Sequence, residues 1–233
     1  MKITLNNVFA IFNKEIKDVI RNPEVLLLFF VYPVIAVVLS TSISIEGMPE
    51  AFFISIFATM HAIFTPMVVT ATILSEEKEK GTLRQLLMNN VSHTDYLLSI
   101  GGFVFIATMS TSFIFLFFAN FAIVEIARFL LMISIGTLIS ILIGMSIGGF
   151  SKNQMATNGM CIPVAMFFAF LPMLSSFNEA FKSFSIYTYS GIISEMILSQ
   201  ASWTTQNMIV LAINALIFLV VFNQVFKKNR LDV

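Results

Sequence analysis

Ser75-Glu76-Glu77-Lys78-Glu79-Lys80-Gly81-Thr82-Leu83-Arg84-Gln85-Leu86-Leu87, continuing through Met88-Asn89-Asn90-Val91-Ser92-His93-Thr94-Asp95, decides how this chain is read. Only 11% of the 233 residues are charged, yet six charges fall within the nine positions from Glu76 to Arg84, between two long apolar runs. Glu76 and Lys80 stand four apart in the favourable helical order, so the helix before them continues into the charged segment. Gly81 offers the left-handed conformation that ends it. Thr82-Leu83-Arg84-Gln85 fits a capping box, Thr82 accepting from the amide of position 85 while Gln85 reaches back, which predicts a new helix at once. Leu83, Leu86 and Leu87 share one face of that helix. Asn89-Asn90 is its expected stop. Ser92-His93-Thr94-Asp95 predicts a second cap, with Asp95 in place of the usual Glu or Gln. The pattern is helix, break, short amphipathic helix, break, helix: a compact polar knuckle over residues 75–95.

The surroundings of the knuckle are apolar. At 58% hydrophobic the chain exceeds the roughly 45–50% of a soluble domain, which makes it an all-α integral membrane protein. Thirteen basic and thirteen acidic residues cancel, so net charge argues for neither nucleic acid nor an acidic substrate. The single cysteine, Cys161, lies in an apolar run and forms no disulfide scaffold or thiolate cluster; it reads as a small core residue.

Six apolar runs have the roughly 20 residues needed to cross a bilayer, over residues 25–45, 51–74, 96–124, 129–150, 155–177 and 208–226. The third is long enough to predict tilt or protrusion. Pro33, Pro66, Pro163 and Pro172 lie inside runs and predict kinks. Before the first run, residues 4–21 place Leu5, Val8, Phe9, Phe12, Ile16, Val19 and Ile20 against Asn6, Asn13, Lys14, Lys17, Asp18 and Arg21. That is an amphipathic helix lying in the interface plane, ended by Asn22-Pro23 and followed by a retained span rather than a cleaved signal.

Basic residues assign the sides. Lys2, Lys14, Lys17, Arg21, Lys78, Lys80, Arg84, Lys152, Lys227, Lys228 and Arg230 fall on one side, and only Arg128 and Lys182 on the other. The positive-inside rule places both termini and the knuckle in the cytoplasm. Residues 178–207 are then the one sizeable external segment. Ile186, Tyr189, Ile192, Ile193, Met196 and Ile197 predict a helix dipping into the outer interface, with an ordinary ordered loop as the alternative, and Trp203, Tyr187 and Tyr189 at headgroup depth. In the fourth span Gly136, Ser140, Gly144 and Gly148 recur every four residues, a close-packing face either within the chain or between subunits.

Chemistry inside the spans is sparse. His61 is their one ionisable residue, a candidate for an ion pathway but more in keeping with a neutral packing histidine. Glu125 and Arg128 read as a surface pair. No phosphate-binding loop, H-E-x-x-H or G-x-S-x-G is present, and no carboxylate pair lies in a span, so no enzyme class or metal site is indicated.

With these features in place, Glu77-Lys78-Glu79-Lys80-Gly81-Thr82-Leu83-Arg84-Gln85-Leu86-Leu87 resembles the E-x-E-x-G-T-h-x-x-L-L signature of bacterial type-2 ATP-binding-cassette (ABC) exporter permeases. The likeness extends to the N-terminal elbow helix, the six spans, the external segment before the sixth, and the polar turn at Lys152-Asn153-Gln154-Met155-Ala156. Asn90 and Ile100 depart from the proline and lysine common in the family. The resemblance implies that the knuckle is a coupling helix docking on a cytoplasmic ATPase subunit, through Glu77, Glu79, Gly81, Thr82, Leu83, Leu86 and Leu87. It also implies two permeases, homo- or heterodimeric, with two ATPases that bind ATP and Mg, and a substrate passing between the permeases in the cell membrane. Twenty-six phenylalanines and nearly uncharged spans suit an amphipathic or hydrophobic cargo: a peptide, a lipid-like molecule or a drug. The alternatives from the residues alone are a gradient-driven carrier or channel, and an immunity or accessory protein that sequesters a membrane-active peptide.

Overall fold

A computed structural model describes residues 4–43, 51–89, 91–119, 121–198 and 204–229, and for Leu87 and residues 226–229 the backbone alone. The described residues are all α: α1 (Leu5–Arg21), α2 (Pro23–Ser42), α3 (Phe52–Glu79), α4 (Thr82–Met88), α5 (His93–Leu116), α6 (Ile123–Phe150), α7 (Gln154–Ser175), α8 (Glu179–Ser185), α9 (Tyr189–Leu198) and α10 (Thr205–Asn229). Six of them, α2, α3, α5, α6, α7 and α10, are long and apolar enough to span a membrane. Lys2, Asn90, Trp203 and Arg230 lie outside the described residues.

Asn22 joins α1 to α2. It follows the last turn of the first helix and caps the second, its Oδ1 accepting from the amides of Glu24 and Val25 at 3.2 and 3.4 Å. Pro23 sits at the first helical position, where its missing N–H costs nothing.

α3 is the most buried span and the axis of the bundle, packed against α2, α5, α6, α7 and α9; α10 is the least buried. Close approach to α6 follows from the small-residue face. A Cβ added at Gly144 would lie 2.4 Å from the Met67 carbonyl oxygen, and one at Gly148 would lie 2.8 Å from that of Ala71. Gly136 faces Ala62 and Ile193, and the Ser140 hydroxyl pairs with Tyr189 Oη at 3.1 Å. This face is occupied within the chain.

Two boundaries and one element differ from expectation. The third span ends at Leu116 rather than 124, and α6 begins at Ile123 rather than 129. Glu125 is the reason: its Oε2 accepts the Ala122 amide at 2.7 Å, a carboxylate on the positive end of a helix, so Ile123 and Val124 open α6. That bond replaces the expected Glu125–Arg128 pair. Residues 178–198 form two helices in place of a single interfacial one. α9 is buried nearly all round, against α3, α6, α7 and α10, with the Asn214 amide of α10 donating to the Tyr187 carbonyl at 3.1 Å.

His61 is fully buried between α2, α3 and α5. Its ring nitrogens meet Thr65 Oγ1 at 3.2 Å and Thr111 Oγ1 at 2.9 Å, and Thr65 in turn donates to the Leu28 carbonyl. Both nitrogens thus have hydroxyl partners, and the ring serves as a brace across three spans.

Candidate functional site

The site is the end of α3 and the elements it holds. Successive residues of a helix point about 100° apart, so Glu77, Lys78 and Glu79 reach three different neighbours. Glu77 pairs with Lys14 of α1, which also meets Glu15 at 2.9 Å and Asp18 at 3.4 Å. Lys78 Nζ donates to the carbonyls of Gly149 (2.7 Å) and Ser151 (2.6 Å) at the end of α6, with Gly148 farther off at 3.4 Å. Glu79 Oε2 accepts the Gln154 amide at the start of α7, at 2.9 Å. Lys80 pairs with Glu76 on the exposed side, as the four-residue spacing predicts.

Gly81 turns the chain with φ +70°, the one left-handed glycine among the described residues. Nothing approaches the position of its absent Cβ, so a side chain there meets only conformational cost. Gly81→Val should therefore destabilise the joint by about 1–2 kcal/mol and Gly81→Asn by less, a difference that thermal unfolding of the two purified variants can check.

The expected capping box at Thr82 does not form. Gly81 itself occupies the N-cap, which moves Thr82 to the first helical position, and its hydroxyl donates back to the Glu77 carbonyl at 3.2 Å. One of the carbonyls left open at the end of α3 is satisfied in this way. Ser92 does cap α5, accepting from the Asp95 amide at 3.1 Å, while Asp95 Oδ1 accepts the Thr4 amide ahead of α1, also at 3.1 Å. α1 is therefore tied at its start through Asp95, at its middle through Glu77 and at its end through Asn22.

The leucine face of α4 points inward. Leu83 is 2% exposed and belongs to the apolar cluster that includes Val19, Ile73, Leu74 and Tyr96, and Leu86 is partly buried against that cluster. The side chain of Leu87 is not among those described. Arg84, Gln85, Asn89 and Met88, the last 73% exposed, form the outward face. Of the seven residues singled out from the signature, Glu77, Glu79 and Thr82 make internal ties, Leu83 and Leu86 form the anchoring face, and Gly81 shapes the turn. The outward face consists of residues the signature does not single out.

Beside this joint, α1, the first turn of α2 and the end of α3 enclose a cleft of about 490 Å³. Lys14, Arg21 and Lys80 line it together with Glu15, Asp18, Glu76 and Glu77. Glu15 is buried and pushed up to about 7, chiefly by burial and by the Glu77 and Asp18 charges, against the pull of Lys14. Lys14 is held above its usual range: burial opposes its charge, but the bond to Glu77 and the charges of Glu15 and Glu77 outweigh it.

The sign for Glu15 is fixed by linkage. Its raised value means that the folded chain keeps a proton the unfolded chain has released, so stability falls as pH rises from about 4.5 to about 7 and is level above that. Thermal unfolding between pH 5 and pH 8 should show this slope in the wild type and a flatter one in Glu15→Gln. Equal slopes would sink the assignment.

Six spans, the buried axial helix α3 among them, with a polar joint at one end of α3 and no cluster of metal-ligating side chains among the described residues, have the architecture of a multi-pass membrane protein. The chain belongs to the ABC-2 family transporter proteins, whose family model matches residues 46–222, from just before α3 into α10. It is a permease, the membrane-transport component of an ABC transporter rather than its ATPase, and family membership implies an ATPase partner. None of the curated proteins compared matches the chain. The matched span includes the joint at Glu76–Met88 but not α1, whose Lys14 completes it.

Proposed function

We propose that the chain forms the substrate pathway of an ATP-driven exporter, and that α4 is the coupling helix on which a cytoplasmic ATPase docks. The observation that carries this is the build of α4: a short helix locked to the most buried span by Gly81 and Leu83, with Arg84, Gln85, Met88 and Asn89 turned outward. A docking element has to be stiff to deliver a motion, and this one is anchored on its inner face and free on its outer one. ATP and Mg belong to the ATPase, present in two copies around two permeases. The termini and α4 lie in the cytoplasm of a bacterial cell, and α8 and α9 face outward. The spans carry little charge, which favours an amphipathic or hydrophobic cargo such as a peptide, lipid-like molecule or drug.

The test separates outward from inward residues. Arg84→Glu with Met88→Asp should leave the chain folded and weaken ATPase binding about tenfold or more, the scale of one interface hot spot. Leu83→Asp should instead unfold the joint. Unchanged ATPase binding by the folded double variant, or substrate transport by the purified chain without ATP, would overturn the proposal.

A further inference from the structure

Lys78 and Glu79 are adjacent in sequence, opposite in charge, and bonded to opposite kinds of helix end. The last carbonyls of a helix carry partial negative charge and the first amides partial positive charge. Lys78 donates to two carbonyls at the end of α6 and Glu79 accepts from the first residue of α7, so each charge has the favourable sign for its site. At α6 the last helical bond runs from the Ser151 amide to the Ile147 carbonyl, and Lys78 donates from α3 to carbonyls that follow it. At α7 Asn153 already caps the helix through the Ala156 amide, so the tie from Glu79 is additional. Both ties come within reach because Gly144 and Gly148 let α6 lie directly on α3.

We propose that Lys78 and Glu79 act as a strut that makes the α6–α7 turn, residues 151–153, move as one body with α4. A push on α4 would then reach three spans at once: α3 through Gly81, and α6 and α7 through the strut. Both are positioning residues, and neither need touch substrate. The inference rests on the coupling reading for its purpose, but the rigidity can be measured without an ATPase.

The experiment uses the full chain in lipid nanodiscs, with Cys161→Ser and spin labels at the exposed positions Lys80, at the foot of α4, and Lys152, both off the outward face of α4. Pulsed dipolar spectroscopy is run on the chain alone and then with the ATPase and ATP-vanadate. The wild-type background should give one narrow distance that nucleotide does not shift. Lys78→Met with Glu79→Gln should roughly double the width of that distribution, freeing the turn to open locally, and Lys78→Arg should restore it. A wild-type distance that shifts with nucleotide, or a double variant as narrow as wild type, would overturn the strut. If the double variant fails to fold, the wild-type nucleotide comparison still decides. If no ATPase binds, the coupling reading fails, while the comparison on the chain alone still tests the strut.

Discussion

Gly144→Ala should cost about 3 kcal/mol, the upper end of the range for overpacking. The added methyl would sit 2.4 Å from the Met67 carbonyl oxygen and 3.1 Å from its carbon, both backbone atoms that cannot rotate away. α6 must therefore move off α3. The contact at Gly148 with Ala71, one turn farther on, is lost with it. In a bilayer no hydrophobic force pulls the helices back together, because lipid replaces helix at equal polarity; close packing is what holds them. Gly102→Ala is the control, since nothing lies within 4 Å of its absent Cβ, and its effect should stay within about 0.5 kcal/mol. Reversible unfolding in mild detergent reads both. If the two substitutions prove equally mild, α3 and α6 are not packed as described.

Lys14→Met is the second large effect. Lys14 is the cation shared by Glu15 and Glu77, whose side chains are only 3% and 7% exposed. Removing it leaves two buried carboxylates facing each other. Breaking a fully buried pair costs about 3–5 kcal/mol, and since Lys14 is itself 37% exposed the loss should be nearer 2–3 kcal/mol at pH 8. At pH 5 the loss should shrink, because Glu15 takes up a proton and relieves the repulsion. A second change, Glu15→Gln in the Lys14→Met background, should recover part of the stability at pH 8 and little at pH 5. An unfolding series over the four combinations at both pH values measures the coupling directly.

The bundle was legible because its cause is local. A run of apolar residues long enough to cross a bilayer has to satisfy its own backbone, and the helix follows. The joint at Gly81 was legible for the same reason, since a left-handed turn needs glycine. Its partners were not. Lys14 and Glu77 are 63 positions apart, and nothing in either segment names the other. One sign was available: Ile11, Glu15 and Val19 fall four apart on the buried stripe of α1, and an acid on such a stripe requires a partner. The third-span boundary differs because Phe117, Phe118, Ile123 and Val124 read as one apolar run, while the start of α6 is marked by a single carboxylate, Glu125, on the Ala122 amide. Thr82 fits a capping box by type, but Gly81 took the cap position, and only the backbone shows which residue lies outside the helix. α9 resisted reading because much of its burial comes from α3 and α6, which are distant in sequence.

The separation of inner anchors from an outer docking face is tested most directly by co-purification. Candidate ABC ATPases of the source organism are co-expressed with the wild-type chain and with the Arg84→Glu, Met88→Asp variant, and the bound ATPase is quantified per permease. The expected result is a near-stoichiometric complex with the wild type and a loss of about tenfold or more with the folded variant. Equal ATPase on both, with the variant's fold intact, would contradict docking at α4.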